Sequence, residues 1–158
     1  MKKQKGFSLI ELLIVVAIIL IIAAIAIPNL LRSRMAANEA SAVGSLRTIN
    51  TAEVTYATTY NSIGFAGLTA LGGAAPCTSA TSTASCLLDD VLSATAATKS
   101  GYKFTVTPGT QVPVVTYSSL ATPSVVGQSG QRAFCSDQSG VIRNNATGTS
   151  CGASDSAL

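Results

Sequence analysis

The sequence predicts an α+β chain in which one long N-terminal helix packs on a small antiparallel sheet. An apolar run from Phe7 to Ile27 has the length and composition of a helix that crosses a membrane. An amphipathic helical pattern continues to about Tyr60, and alternating strand patterns appear only after residue 100. One long helix followed by several short strands is the element order expected of an α+β fold.

The apolar run accounts for the membrane-spanning half of the helix. Only Ser8 and Glu11 are polar among residues 7–27. A helix of that length is about 31 Å long, which is close to the hydrocarbon thickness of a bilayer. Three lysines precede the run, and the positive-inside tendency places them in the cytoplasm. We therefore expect the remainder of the chain to lie across the membrane.

Glu11 is the informative residue of this helix. A carboxylate inside a membrane-spanning helix costs about 2.5–3.5 kcal/mol on insertion scales, so it needs either a partner or a shallow position. Glu11 lies one turn beyond Phe7, from where its side chain can reach the headgroups. Position alone leaves both interpretations open.

The string GFSLIE at residues 6–11 lies between a short basic leader and a long apolar run that ends at Pro28. This arrangement resembles the class III signal of type IV pilins and of the related pseudopilins of type II secretion. The resemblance covers residues 1 to about 35. It implies that a prepilin peptidase removes residues 1–6 by cutting between Gly6 and Phe7, and that the new Phe7 amine is then N-methylated.

The same resemblance implies a structural subunit with no catalytic activity and no cofactor. Glu11 of an incoming subunit is expected to pair with the Phe7 amine of the subunit already docked, while Pro28 lets the helix loosen locally during assembly. The implied partners are other copies of the chain, the prepilin peptidase/N-methyltransferase, an inner-membrane assembly platform and, before assembly, membrane lipid. The implied location is the inner membrane, as a single-pass protein with its head outside the cytoplasm, and later a filament at the cell surface.

Two other functions stay open. The leader alone does not distinguish a pilin from the major pseudopilin of a type II secretion system. Ala24-Ile25-Ala26 also resembles an ordinary signal-peptidase site, and a cut after Ala26 would release a secreted binding domain. Against that cut, Glu11 is a poor residue for a discarded apolar region, and the helical pattern continues beyond it.

The second half of the helix is amphipathic. Pro28 is expected to kink or loosen the helix just upstream. After it, apolar residues recur at steps of three, four and seven, with Glu39 and Glu53 among the polar positions between them. We therefore expect one helix over residues 7–60 and a globular head over 61–158. The apolar positions expected to pack on the head are Met35, Ala42, Leu46, Ile49, Tyr56 and Tyr60.

The head is expected to contain a sheet of three or four antiparallel strands. Glycines over residues 61–75 predict a loop, and the CLLDDVL segment at 86–92 predicts a short helical turn. Alternation and turn residues predict strands over 101–107, 112–118, 131–135 and 140–143.

Composition excludes several other classes. The formal net charge of +3 falls to zero once the three leader lysines are removed, and no basic cluster suggests a nucleic-acid partner. The chain has no histidine, which removes the commonest general base and metal ligand. Four cysteines in an exported domain predict two disulfides. Three pairings are possible, and proximity favours Cys77–Cys86 and Cys135–Cys151. A metal site is not expected, since no CxxC pair is present.

Overall fold

A computed structural model describes residues 7–73 and 76–158. It shows the α+β architecture that the sequence predicts, with a long helix, two short helices and, within the described residues, six strands. In chain order the elements are α1 (Leu9–Thr59), α2 (Leu68–Leu71), α3 (Asp90–Ser93), β1 (Thr98–Lys99), β2 (Tyr102–Pro108), β3 (Tyr117–Pro123), β4 (Ala133–Asp137), β5 (Arg143–Asn145) and β6 (Ser156–Ala157).

The chain divides into two compact units, and the division falls inside α1 between Arg34 and Met35. Residues 7–34 are called the N-terminal segment below, and residues 35–158 are called the head unit. The helix continues without interruption through Pro28, so the loosening expected upstream of this proline is not seen. A proline removes one backbone donor, and the neighbouring turns keep their own hydrogen bonds.

The six strands form one antiparallel sheet in the order β1-β2-β3-β4-β5-β6. Each strand pairs with the next along the chain, so every connection is local. The longest pairing joins β2 to β3, with Tyr102 opposite Pro123 and Pro108 opposite Tyr117. Alternate residues of these strands are buried, among them Tyr102, Phe104 and Ala121. They join one hydrophobic core with the part of α1 that belongs to the head unit.

The buried face of α1 in the head unit follows alternating steps of three and four residues. Ala42, Leu46, Ile49 and Tyr56 are buried there as the sequence predicts, whereas Met35 and Tyr60 are only partly buried. The structure corrects the expectation that the acids lie between these positions. Glu39 and Glu53 occupy the same repeat and are themselves buried. The buried residues at these steps are Glu39, Ala42, Leu46, Ile49, Glu53 and Tyr56.

The expected strand over residues 112–118 is wrong for its first five residues, because β3 begins at Tyr117. Residues 109–116 form the loop between β2 and β3, closed by a hydrogen bond from the Gly109 amide to the Thr116 oxygen (2.8 Å). Val114 pairs instead with the connection after α1: its amide donates to Ile63 (2.7 Å) and its oxygen accepts from Phe65 (3.0 Å). The start of β3 therefore depends on which residues have a neighbouring strand to pair with, and not on the run of valines.

Other boundaries shift by a few residues. β4 and β5 begin two and three residues later than expected, and α2 lies within the expected loop over 61–75. β1 and β6 are two residues long, too short to show an alternating pattern. Such strands form because a neighbouring strand provides the partner. The sheet is therefore larger than the three or four strands expected.

Two disulfides close loops in the head unit. Cys77 is bonded to Cys86 and Cys135 to Cys151, with sequence separations of 9 and 16 residues. This is the pairing that proximity favours. The second bond ties the C-terminal segment to β4, and loops of this size contribute on the order of 3 kcal/mol in the chain-entropy account.

Candidate assembly site

The N-terminal segment begins with a hydrogen-bonded cap. The Ser8 amide donates to Oε2 of Glu11 (3.0 Å), and the Ser8 oxygen accepts from Leu12 (3.3 Å). A carboxylate three residues beyond the residue that precedes the helix is one half of a capping box. The Glu11 side chain therefore satisfies one of the amides that a helix leaves without a partner at its start.

This capping role was missed by the sequence analysis, which treated Glu11 only as an acid in an apolar helix. The signal was present, since Ser8 and Glu11 have the Ser-x-x-Glu spacing of a capping box. Capping leaves room for a second partner, because a carboxylate has about four acceptor positions. Phe7 directly precedes the cap and is 83% exposed. Gly6 and the leader over residues 1–6 lie outside the described residues.

The surface of the N-terminal segment is apolar all round. Its large hydrophobic side chains are exposed, from Phe7 at 83% to Leu31 at 41%, with none buried among residues 7–34. This part of α1 is long and apolar enough to cross a membrane. A helix that is hydrophobic on every face is stable only when lipid or other protein covers it. The charged groups of the segment lie near its ends, at Glu11, Arg32 and Arg34.

In the head unit, Glu39 joins α1 to the start of β4. Oε1 accepts from the amides of Gln131 (2.9 Å) and Arg132 (3.1 Å), and Oε2 accepts from the Arg132 guanidinium (Nε 2.9 Å, Nη2 2.8 Å). Burial acts to raise the pKa of Glu39, but the hydrogen bonds from Gln131 and Arg132 outweigh it and hold the pKa below its usual value. Glu39 is therefore an ionised and fully paired anchor.

Glu53 lies two heptads further along α1 in a different environment. Its side chain is fully buried, and Oε2 accepts one hydrogen bond, from the Ala66 amide (3.0 Å). Oε1 is buried without a partner among the described residues. Tyr56 and Tyr117 lie nearby, but their hydroxyls donate to other oxygens. Burial raises the pKa of Glu53 to about 7.

The Glu53 contact fixes the connection between α1 and α2. Gly64 has φ +86°, and a Cβ at this position would collide with the Val114 backbone. Only glycine fits this close approach, which brings the Ala66 amide to Glu53. In the CLLDDVL segment, Asp89 has a structural role: it caps α3 through the Leu92 amide (2.8 Å) and pairs with Lys99 (2.8 Å).

Comparisons with known proteins agree with the geometry of the N-terminal segment. The family model described as the prokaryotic N-terminal methylation motif matches residues 1–27. The type IV wide pilus major component PilA4 of Thermus thermophilus is 64% identical over 39 residues, which cover 25% of this chain and 30% of that protein. The type IV major pilin protein PilA of Myxococcus xanthus is 42% identical over 71 residues, which cover 40% of this chain and 32% of that protein.

The matched regions span less than a third of the length of either relative. No solved structure matches the chain. The fold and the N-terminal segment define a class of protein in which an apolar helix carries a small α+β head. The chain therefore matches the methylation motif over residues 1–27 and is similar over part of its length to two type IV pilins. Type IV pilins are structural subunits and not enzymes.

Proposed function

We propose that the chain is a structural subunit of a type IV pilus-like filament, cut between Gly6 and Phe7, methylated at the Phe7 amine and polymerised through α1. The observation that carries the proposal is the exposed apolar surface of residues 7–31 on a helix whose start bears the methylation motif. Bilayer lipid covers this surface before assembly, and other copies of the helix cover it afterwards.

Burial of apolar area alone does not drive that transfer. Lipid tails are as apolar as leucine, so a helix that moves from the bilayer into a helical bundle gains little hydrophobic free energy. Glu11 distinguishes the two environments. In lipid its carboxylate costs about 2.5–3.5 kcal/mol, whereas in the bundle the cationic Phe7 amine of a neighbouring copy pairs with it. This pair sets the axial register between successive subunits.

Repetition of such a contact produces a fibre. Phe7 of one copy and Glu11 of the next are different surfaces, so the interface is heterologous and does not close on itself. The apolar helices lie at the fibre axis and the heads cover the outside. Before assembly the subunit is held in the inner membrane with its head outside the cytoplasm, and an assembly platform in that membrane adds it to the growing filament.

The N-terminus of the native chain tests the processing step. Mass spectrometry of protein from the cell envelope is expected to find a chain that begins at Phe7 and carries one added methyl group. A chain that begins at Ile27 would instead support the secreted binding domain. A monomeric chain that retains Met1 would contradict the proposal.

Imaging of a strain from which the gene is deleted tests the polymer. We expect surface filaments to disappear, and to return when the gene is restored. Both relatives are named as major subunits of pili, which favours a surface pilus. Loss of protein secretion with no change in surface filaments would favour the type II secretion pseudopilin instead.

A further inference from the structure

The connection between α1 and α2, residues 61–66, is held to the loop between β2 and β3 by backbone hydrogen bonds. The Val114 amide donates to the Ile63 oxygen (2.7 Å), and the Phe65 amide donates to the Val114 oxygen (3.0 Å). The Phe65 ring also packs on Tyr117, with 4.8 Å between the ring centroids. None of these contacts involves a group that titrates near neutral pH.

One further hydrogen bond ties the connection to α1, and it ends on a carboxyl group. The Ala66 amide donates to Oε2 of Glu53 (3.0 Å). Glu53 is 0% exposed, and its Oε1 is buried without a partner in the part of the chain that the structure describes. An ionised carboxylate in this place has lost its water and gained a single donor, so most of its solvation cost is uncompensated. The closed connection therefore favours the protonated acid.

The charged surroundings of Glu53 do not offset this cost. Glu53 forms no ion pair within residues 7–73 and 76–158. Tyr56 of α1 and Tyr117 of β3 face it, and burial raises the pKa of both hydroxyls, so they stay neutral. Asp137 of β4 acts on Tyr117 but forms no hydrogen bond with Glu53 in the described structure. The connection and the β2–β3 loop contain no ionisable side chain.

Glycines lie on both sides of the Ala66 contact. Gly64 has φ +86°, and a Cβ added at Gly67 would meet its nearest neighbour only at 4.0 Å. Glycine adopts more backbone conformations than other residues, so both positions can absorb a local movement. Beyond them the chain is anchored, since Leu71 of α2 is fully buried in the core. Ala66 itself buries only a methyl group. The connection can therefore move while α1 and α2 keep their places.

We propose that Glu53 and the Ala66 amide form a proton-operated latch, in which the connection is closed while Glu53 carries its proton and opens when Glu53 ionises. Opening exchanges the hydrogen bonds of the connection for bonds to water and returns the carboxylate to solvent, while the sheet and the core stay folded. It also uncovers Phe65, beside a loop in which Val112 is already 86% exposed. The head unit thus presents more apolar surface at high pH than at low pH.

Proton linkage determines how the opening equilibrium depends on pH. Burial raises the pKa of Glu53 to about 7 in the closed state, whereas a solvated Glu53 in the open state has the ordinary value of 4.5. Between these values the closed state binds the proton more tightly, so the opening constant rises about tenfold for each pH unit. Above about pH 7 both states are ionised, and the constant levels off after a total increase of about 300-fold. The latch belongs to the single chain and does not depend on the proposed filament.

Amide hydrogen exchange of the full ¹⁵N-labelled chain in detergent micelles, followed by NMR over a series of pH values, tests the latch. Hydroxide catalysis alone raises exchange about tenfold for each pH unit, so amides freed by the latch rise about a hundredfold per unit between about pH 5 and 7 and about tenfold above. We expect this break for Phe65, Ala66 and Val114. The Gly140 amide, which donates to Asp137 in the turn after β4 (2.9 Å), is expected to rise tenfold throughout.

The same data separate local opening from global unfolding. Paired amides of β3 and β4 exchange only when the head unit unfolds. The latch requires the amides of Phe65, Ala66 and Val114 to exchange at least tenfold faster than those strand amides at every pH. Equal rates would mean that the connection opens only with the whole fold, and would overturn the proposal. It is also overturned if the three amides follow Gly140 throughout, because Glu53 would then ionise without opening the connection.

Two variants assign the break to Glu53. Glu53→Gln keeps an acceptor for Ala66 but cannot ionise, so its connection amides are expected to lose the break and to exchange on the order of 100-fold more slowly than the wild type at about pH 8. Glu39→Gln makes the same change at a fully paired position of α1 and is expected to keep the break. If Glu53→Gln does not fold, the ¹³C resonance of the Glu53 carboxyl in the wild type decides: a midpoint at least one pH unit above 4.5 supports the latch, and a midpoint near 4.5 overturns it.

Discussion

The two segments of helix α1 differ in how their apolar side chains are covered. Between residues 7 and 34, α1 exposes apolar side chains on every face. From Met35 onward, the same helix buries one stripe in a core and leaves its other faces exposed or partly exposed. The first segment is complete only when lipid or another chain covers it, whereas the second finds its cover within its own head unit.

The glutamates of α1 show this difference most clearly. Glu11 caps the start of the helix, Glu39 is fully paired, and Glu53 is buried with one hydrogen bond. The same side chain therefore serves as a helix cap, an anchor and a titratable group. What differs is the number of donors that the surroundings provide and the extent to which water is excluded.

The largest effect is expected at Glu11. Glu11→Gln keeps an acceptor for the Ser8 amide, as capping boxes accept either residue, but it removes the charge. If the charge pairs with a Phe7 amine, Glu11→Gln and Glu11→Ala both lower filament yield by more than tenfold. Electron microscopy of sheared filaments measures the yield, and immunoblotting confirms equal amounts of subunit.

If the Glu11 carboxylate acts only as a helix cap, Glu11→Gln and Glu11→Ala are expected to differ in filament yield. Glu11→Gln filaments at wild-type yield would show that the carboxylate acts only as a cap. Ser8→Ala is the matched control, because it keeps the backbone amide and the Glu11 charge. It is expected to leave filament yield within about twofold.

The next largest effect is expected at Glu39. Glu39→Ala leaves the amides of Gln131 and Arg132 without their acceptor, and hydrogen bonds to a charged group are worth about 1.5–3 kcal/mol. We expect the free energy of unfolding to fall by about 2–3 kcal/mol. Denaturant titration of the full chain in detergent, followed by near-ultraviolet circular dichroism of its tyrosines, measures the change. Glu39→Gln keeps one acceptor oxygen, so an equal loss in that variant would mean that charge alone matters.

Glu53 predicts a pH dependence. Its folded pKa of about 7 lies above the unfolded value, so the native state binds the proton more tightly. The resulting stability is fully present below about pH 4.5 and is lost as pH rises through 7. We expect the free energy of unfolding to decrease between pH 5 and 8 by up to about 3 kcal/mol. The chain has no histidine to obscure this interval.

Glu53→Gln isolates this contribution. The amide keeps an acceptor for Ala66 and carries no charge, so the variant is expected to lose most of the pH dependence and to exceed the wild type in stability at pH 8. Glu39 has a lowered pKa and serves as the comparison, because Glu39→Gln should change the slope only below about pH 5. Parallel curves for wild type and Glu53→Gln would show that Glu53 does not titrate in this interval.

The smallest effect is expected at Gly44. It lies mid-helix on the exposed side of α1, and a Cβ there would meet nothing within 4 Å. Gly44→Ala is therefore expected to raise the free energy of unfolding by about 0.5–1 kcal/mol. The same denaturant titration measures it. A more stable chain that no longer forms filaments would show that a neighbouring subunit packs closely at this position.

Many of the buried positions in the head unit were predicted from local sequence patterns. The positions that were predicted wrongly share one cause. The 3–4 repeat through Ala42, Leu46 and Ile49 predicted the buried stripe, yet it passes through Glu39 and Glu53, which were assigned to the polar positions by residue type. The register of a helix face is set by geometry. A carboxylate is tolerated on the buried face when backbone donors from elsewhere in the chain meet it, and those donors cannot be read from a local window.

By itself, the sequence determined the apolar N-terminal segment, the spacing of Ser8 and Glu11, the order of helix and strands, and the residues available for disulfides. These depend on composition and on periodicities within a few turns. Only the tertiary structure decided where β3 begins, that two-residue strands complete the sheet, and how Glu39 and Glu53 differ. Each of these depends on groups far apart in sequence, because hydrogen bonds and desolvation act between neighbours in space.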